Sequence, residues 1–414
     1  IGFVLLQLGH PAGAVAPLVR ATALSPRSVV AHNDLGDAYL ATGDLRRAEG
    51  EYRAAAELAP RAPEAFVNLG HLAMRRRDWP AAIQGFSAAL ERAPEDANTE
   101  NNLGYSLEQA GRLEAALGRE RRAAEREPAD ATFARNLGLA LRRAGKSAEA
   151  VTALQHAVAL KPNDAAVELA LGDLQATAGQ NEAAIAAFRA AARANPKSFI
   201  ACYNLGVLLA RQGSLAGAAA ALARAVTLRP ADAAALAALG WVEYQQGRLP
   251  EAERSLAAAV RLGSSAADTR MNLALTLRRD GKIDAAAAQW QAVLKADPDN
   301  DAARSLLAAA FLERARYALA ADAYREIARR HPGDAEAWNN LGYAREKQGQ
   351  WGAAIDAYEK AAAVNPGLAL ALNNLGAAYE RQGDPEKAQD AYRRALSADP
   401  KFADARRNLD RMTR

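Results

Sequence analysis

The sequence is short of the residues that usually carry chemistry. Its 414 residues include one cysteine, Cys202. That excludes an intrachain disulfide and a cysteine zinc cluster. The five histidines (His10, His32, His71, His156 and His331) show no metal-ligand spacing, either among themselves or with Cys202. No apolar run reaches the roughly 18 residues that cross a membrane. Net charge is small, with 52 basic residues against 48 acidic ones, +4 in all, which is too little to mark a nucleic-acid surface. No glycine-rich loop follows a strand, because no stretch reads as a strand. The expectation is therefore no metal, no cofactor, no catalytic residues, no nucleic-acid partner and no membrane insertion.

Aromatic residues are scarce too, at 6% against an apolar half of the composition. Alanine fills much of that half. It is the strongest helix former and the smallest apolar side chain, so the composition points to many closely packed helices. Glycine and proline are spread along the chain, and no segment reads as a linker. A lone cysteine suits a reducing compartment, which leans the location toward the cytoplasm. The sequence opens at Ile1, inside a repeat. A cut there, with residues upstream, is expected, and a periplasmic location would follow if a signal lay among them.

What is present is periodic. Leu-Gly pairs stand at Leu35-Gly36, Leu69-Gly70, Leu103-Gly104, Leu137-Gly138, Leu171-Gly172, Leu205-Gly206 and Leu239-Gly240. The phase continues through Leu273-Ala274 and Leu307-Ala308 to Leu341-Gly342 and Leu375-Gly376. The spacing is 34 residues throughout, with Gly2 and Leu409 in phase at the ends. Twelve residues after each small residue comes Ala, from Ala14 to Ala388, without exception. Seven after it comes a turn Gly, replaced only by Arg77 and Ala315. Twenty-four after it comes Pro, from Pro26 to Pro400, replaced only by Ser264.

One unit then reads as two helices. The turn Gly ends the first helix in a left-handed conformation. The second helix is expected to press its invariant Ala on the small residue of the first. A large residue four later (Tyr52, Phe86, Phe188, Trp290, Tyr324, Tyr358, Tyr392) fills the gap to the next unit, and Pro stops the helix. Two short helices cannot bury their faces alone, so units must stack. The copies from 233 to 334 depart most from the pattern, with Gly263-Ser264-Ser265 in place of the proline signal. Faster amide exchange is expected around 260–270.

These residues resemble the tetratricopeptide repeat family over essentially the whole chain. The resemblance implies an all-α, right-handed superhelical solenoid of helix-turn-helix repeats. One array is expected over 1–414: a truncated repeat at 1–28, eleven full repeats over 29–402 and a polar capping helix at 403–414. It also implies that first helices line an inner groove, and that the chain holds a protein or peptide.

The residue before the Leu-Gly pair is Asn at Asn68, Asn102, Asn136, Asn204, Asn272, Asn340, Asn374 and Asn408, with Asp34 in a ninth copy. Asn is a mediocre helix former, yet its amide both donates and accepts. A row of such amides suits the backbone of an extended peptide. Alternatively each Asn bonds a neighbouring helix end or loop within the stack. The column, with the doublets Asn101-Asn102, Asn339-Asn340 and Asn373-Asn374, is similar to the asparagine ladder of O-linked N-acetylglucosamine transferase repeats. It breaks at Ala170, Ala238 and Leu306. That likeness leaves a second reading, the recognition arm of a larger enzyme; a self-assembling module, hence a homo-oligomer, is a third. The position after the small residue is never Asn in the complete copies, which argues against the family's carboxylate clamp for chaperone tails. Arg135, Arg142 and Arg143, then Arg278 and Arg279, and lastly Glu346 and Glu380, either zone the groove by charge or are simply solvated. Trp241 and Tyr244, one turn apart, are candidate anchors.

Overall fold

The structure is a computed structural model that describes residues 1–263 and 267–413. The Ser264 and Ser265 substitutions of the proline signal, and Arg414 of the terminal helix, lie outside the described residues. Within them the chain is all helix, 25 in number, with no strand. Two compact units divide it, Ile1–Leu208 and Leu209–Arg414.

The first unit contains α1 (Gly2–Gln7), α2 (Pro11–Leu24), α3 (Val29–Thr42), α4 (Leu45–Leu58), α5 (Glu64–Arg76), α6 (Trp79–Leu90) and α7 (Ala97–Gln109). It continues with α8 (Leu113–Arg126), α9 (Ala131–Arg143), α10 (Ser147–Leu160), α11 (Ala165–Thr177), α12 (Asn181–Ala194) and most of α13 (Phe199–Arg211). The second unit contains α14 (Leu215–Leu228), α15 (Ala233–Gln245), α16 (Leu249–Arg261), α17 (Ala267–Arg279), α18 (Ile283–Ala296) and α19 (Asp301–Glu313). After these come α20 (Tyr317–Arg330), α21 (Ala335–Lys347), α22 (Trp351–Val364), α23 (Ala369–Gln382), α24 (Pro385–Ala398) and α25 (Ala403–Thr413). Odd-numbered helices pack on the even-numbered helix that follows, and that helix on the next odd one, from α1 to α12 in the first unit and from α14 to α25 in the second. Odd helices of neighbouring repeats also touch, as α7 with α9 and α21 with α23 do.

The periodic columns explain this arrangement. Every member of the Ala column, Ala14 to Ala388, is fully buried, so no larger side chain fits there. The space beside the small residue is shared: the large side chain comes nearest, and at Gly2 and Gly104 the column Ala stands behind it, with its carbonyl 3.3 Å from where a Cβ would sit. A Cβ on Gly70 would stand 2.6 Å from the Phe86 ring, one on Gly342 2.6 Å from Tyr358, and one on Gly138 2.6 Å from Leu154. The large residue lies one turn beyond the Ala on the same face, and its length carries it under the neighbouring helix.

The turn column behaves as expected even at its exceptions. Gly43, Gly145 and Gly383 have φ of 85°, 73° and 87°, and the replacements Arg77 and Ala315 keep φ of 58° and 54°. Aspartates then start many helices: Asp44, Asp78, Asp96, Asp130, Asp164, Asp232, Asp334 and Asp384 each accept a backbone N–H of the first turn. These caps supply partners for helix-end donors that otherwise have none.

Candidate functional site

The odd helices position the asparagine column. Asn68, Asn102, Asn136 and Asn204 lie on α5, α7, α9 and α13 of the first unit, and all are half-buried. Asn272, Asn340, Asn374 and Asn408 lie on α17, α21, α23 and α25 of the second, also half-buried.

Much of the column is spent on the stack itself. Asn136 Nδ2 donates to Asn101 Oδ1 at 2.9 Å, Asn374 to Asn339 at 3.1 Å, Asn408 to Asn373 at 3.0 Å and Asn68 to Asn33 at 3.3 Å. Each bond reaches back 35 residues, onto the preceding odd helix. Asn204 has Leu169 at that offset, which offers no acceptor, and donates instead to Asp173 at 3.2 Å. Asn340 accepts from its neighbour Asn339 at 3.4 Å and is hydrogen-bonded to Tyr324.

Asn102 and Asn272 differ. Val67 and Ala237 stand 35 residues before them and offer no side-chain acceptor. Within the described residues their carboxamides have no hydrogen-bond partner, although their backbone carbonyls accept from Ser106 and Thr276. Donor and acceptor alike remain available on both.

Aromatic side chains adjoin the column on the same face. Trp241 is 36% exposed and stacks on Tyr244 with ring centres 5.4 Å apart, while the Arg279 guanidinium lies 5.5 Å from the Tyr244 ring. Tyr105 is 39% exposed and Tyr343 36%. Each follows a ladder asparagine, Asn102 or Asn340, by three residues, which places amide and ring on one helical face. Tyr105 and Tyr343 were not singled out by the sequence. Their column, shared with Trp241, was the available signal.

The charges expected to zone the groove are largely paired between neighbouring repeats. Arg142 lies 3.5 Å from Asp173 and Arg135 3.7 Å from Asp164. Arg143 pairs with Glu108, and Arg278 with Glu313. Glu380 binds Arg411 at 2.7 Å, and Glu346 binds Lys347 at 3.3 Å. Arg279 donates to the Tyr244 carbonyl at 3.4 Å, and Arg75 to that of Leu40 at 3.0 Å. Burial pushes the Asp173 carboxyl above its ordinary range, against the pull of Arg142 and Asn204.

The described residues contain no group of three His, Cys, Asp or Glu suited to a metal, and no helix long and apolar enough to cross a membrane. What the odd-helix face offers is hydrogen bonding beside flat apolar rings. That chemistry suits non-covalent contact with a polypeptide.

Comparison with known proteins agrees with this architecture. The family model of the C-terminal tetratricopeptide domain of cilia and flagella-associated protein 70 matches residues 118–337, more than half the chain. Two tetratricopeptide repeat models match 333–401, and 2–63 with 67–124. No curated protein sequence matches. Among solved structures, the C-terminal part of a tetratricopeptide repeat-containing protein from Cytophaga hutchinsonii is 17% identical. It covers 57% of this chain and 98% of its own, with a TM-score of 0.50. Pseudomonas aeruginosa pilF is 23% identical, covering 50% and 94%, with a TM-score of 0.44. YrrB, described as a tetratricopeptide repeat protein with an unusual peptide-binding site, is 20% identical, covering 54% and 97%, with a TM-score of 0.32. Columns, helix pairs and family models point one way: the chain belongs to the tetratricopeptide repeat family.

Proposed function

We propose that the odd-helix faces of each unit hold an extended segment of another polypeptide, its backbone gripped by Asn102 in the first unit and by Asn272 in the second. The observation that carries this reading is the pair of half-buried carboxamides without partners, at Asn102 and Asn272, with the exposed Tyr105 ring on the same helical face as Asn102. A carboxamide can satisfy a peptide N–H and C=O together without reading the side chain. An exposed aromatic ring adds apolar area at low entropic cost. The tied asparagines, Asn68, Asn136, Asn204 and Asn374, serve first as struts, and each keeps an acceptor oxygen that supports the grip. Arg135 and Arg142 then act as helpers at the edge of the first unit's face.

The likeness to the O-linked N-acetylglucosamine transferase ladder favours the same grip, in which case the chain would be the recognition arm of a larger enzyme. The test is to pan a random peptide display library against the chain and to give the selected peptides a photoreactive group. The expected crosslinks fall on odd helices, at α7 and α9 in the first unit and α15 and α17 in the second. Crosslinks confined to even helices would overturn the proposal.

A further inference from the structure

The large-residue column has one discordant member. Where other repeats place Tyr, Phe, Trp or Leu against the small residue, the repeat at 97–130 places Glu120. This residue is only 2% exposed, and a Cβ on Gly104 would stand 2.6 Å from its Cγ. It therefore fills the packing position itself and does not turn out to solvent. Its Oε2 is buried with no hydrogen-bond partner.

Column mates show what this position requires. Tyr358 donates its hydroxyl to Glu346 at 2.9 Å, and Tyr392 donates to Glu380 at 3.1 Å. Glu346 and Glu380 stand four residues after the small residue of their repeats, and the residue there in this repeat is Glu108. In two repeats, then, a phenol proton bridges the second helix to a carboxylate on the first. Here a second carboxyl replaces the phenol. Glu108 is nearly buried, with 9% of its side chain exposed, and pairs with Arg143 from α9. Glu108 from α7 and Arg143 from α9 are the charged groups that act on Glu120. Arg119 and Arg122 of its own helix turn to Glu100. One guanidinium thus faces two carboxyls.

We propose that Glu120 is held protonated and donates to Glu108 as a substitute for the phenol, so that α7, α8 and α9 form a seam that loosens as pH rises. Two adjacent buried carboxyls cannot both ionise without leaving an uncompensated charge, and a proton on one can bridge the pair as the phenol proton does. Burial, then the Glu108 charge, push the Glu120 carboxyl up to about 8, with Arg143 opposing. A raised value in the folded chain means that the stabilisation is complete below the ordinary value of 4.5 and is lost as pH climbs through about 8. Within that window the opening equilibrium of the seam rises by about tenfold per pH unit, the slope for one proton.

The direct test is the side-chain carboxyl ¹³C titration of Glu120 in the intact chain. A midpoint near 8 is expected, and one near the ordinary glutamate value would overturn the proposal. The second test compares amide protection factors in α7–α9 at several pH values for the wild type and Glu120→Gln. The glutamine keeps a donor for Glu108 and has no proton to lose. Protection in the wild type should fall across the window, while Glu120→Gln stays flat, as should the Tyr358 repeat at α21–α22. Identical profiles for wild type and Glu120→Gln would refute the switch. Should that variant fail to fold, the wild-type titration decides alone.

Discussion

The struts between odd helices allow a sharp test at Asn101 and Asn136. Their bond is 2.9 Å long, between two half-buried neutral amides. Such a bond contributes about 0.5–1.5 kcal/mol. Replacing Asn136 by Ala removes it but gains up to about 0.7 kcal/mol of helix propensity. The single variant should therefore show almost no net change, and a melting temperature alone would mislead. A double-mutant cycle cancels the propensity term. With N101A, N136A and N101A/N136A, the coupling should be about 0.5–1.5 kcal/mol. The same cycle on Val67 and Asn102, where no acceptor is available, should give coupling within about 0.5 kcal/mol of zero. Local opening free energies from native-state amide exchange are the right assay, because repeat arrays need not unfold in one step. Equal coupling in the two cycles would refute the division of the column into tied and untied amides.

Further outcomes follow from the same packing. Tyr358 is fully buried and donates to Glu346, so Y358F should cost roughly 1–3 kcal/mol; an unchanged urea midpoint would show that the bond adds nothing. Ala315 holds a left-handed φ of 54°, so A315G should stabilise α19–α20 by about 1 kcal/mol, read as slower exchange there. Gly383, at φ 87°, should show the opposite sign for G383A, and a neutral result would contradict the turn argument.

The 34-residue period and the helix pairs were legible because each packing position repeats and chance cannot keep five columns in phase. The left-handed turn was legible too, and it persists at Arg77 and Ala315, where the side chain argues against it. An internal role for the asparagine amides was one of the two readings, but their partners were hidden for a geometric reason. Helical periodicity describes one helix, whereas Asn136 meets Asn101 across an offset of 35 residues between two. The doublets at Asn101-Asn102, Asn339-Asn340 and Asn373-Asn374 were visible, but their first members turn out to be strut acceptors. What the sequence did not show was the reach of the large residue, since it gives a side chain's position and not its direction: Tyr358 and Phe86 extend under the small residue from one turn away. Charge zoning was read from single helices, and Arg142 and Arg278 find their carboxylates on neighbouring ones. Glu120 stood in plain view as the acidic member of a column of large apolar and aromatic residues.

The central claim is that the untied amides of Asn102 and Asn272 serve a ligand and not the fold. Calorimetric titration of a panned peptide into the wild type and into N102A, N272A and the double variant tests it most directly. Each amide lost should weaken binding at its own unit by the worth of a hydrogen bond, roughly two- to tenfold in affinity, so the double variant should be weakened at both units. Its thermal stability should hold or rise slightly, since Ala is the better helix former. Unchanged affinity in the double variant, or a lower melting temperature with full binding, would contradict the account.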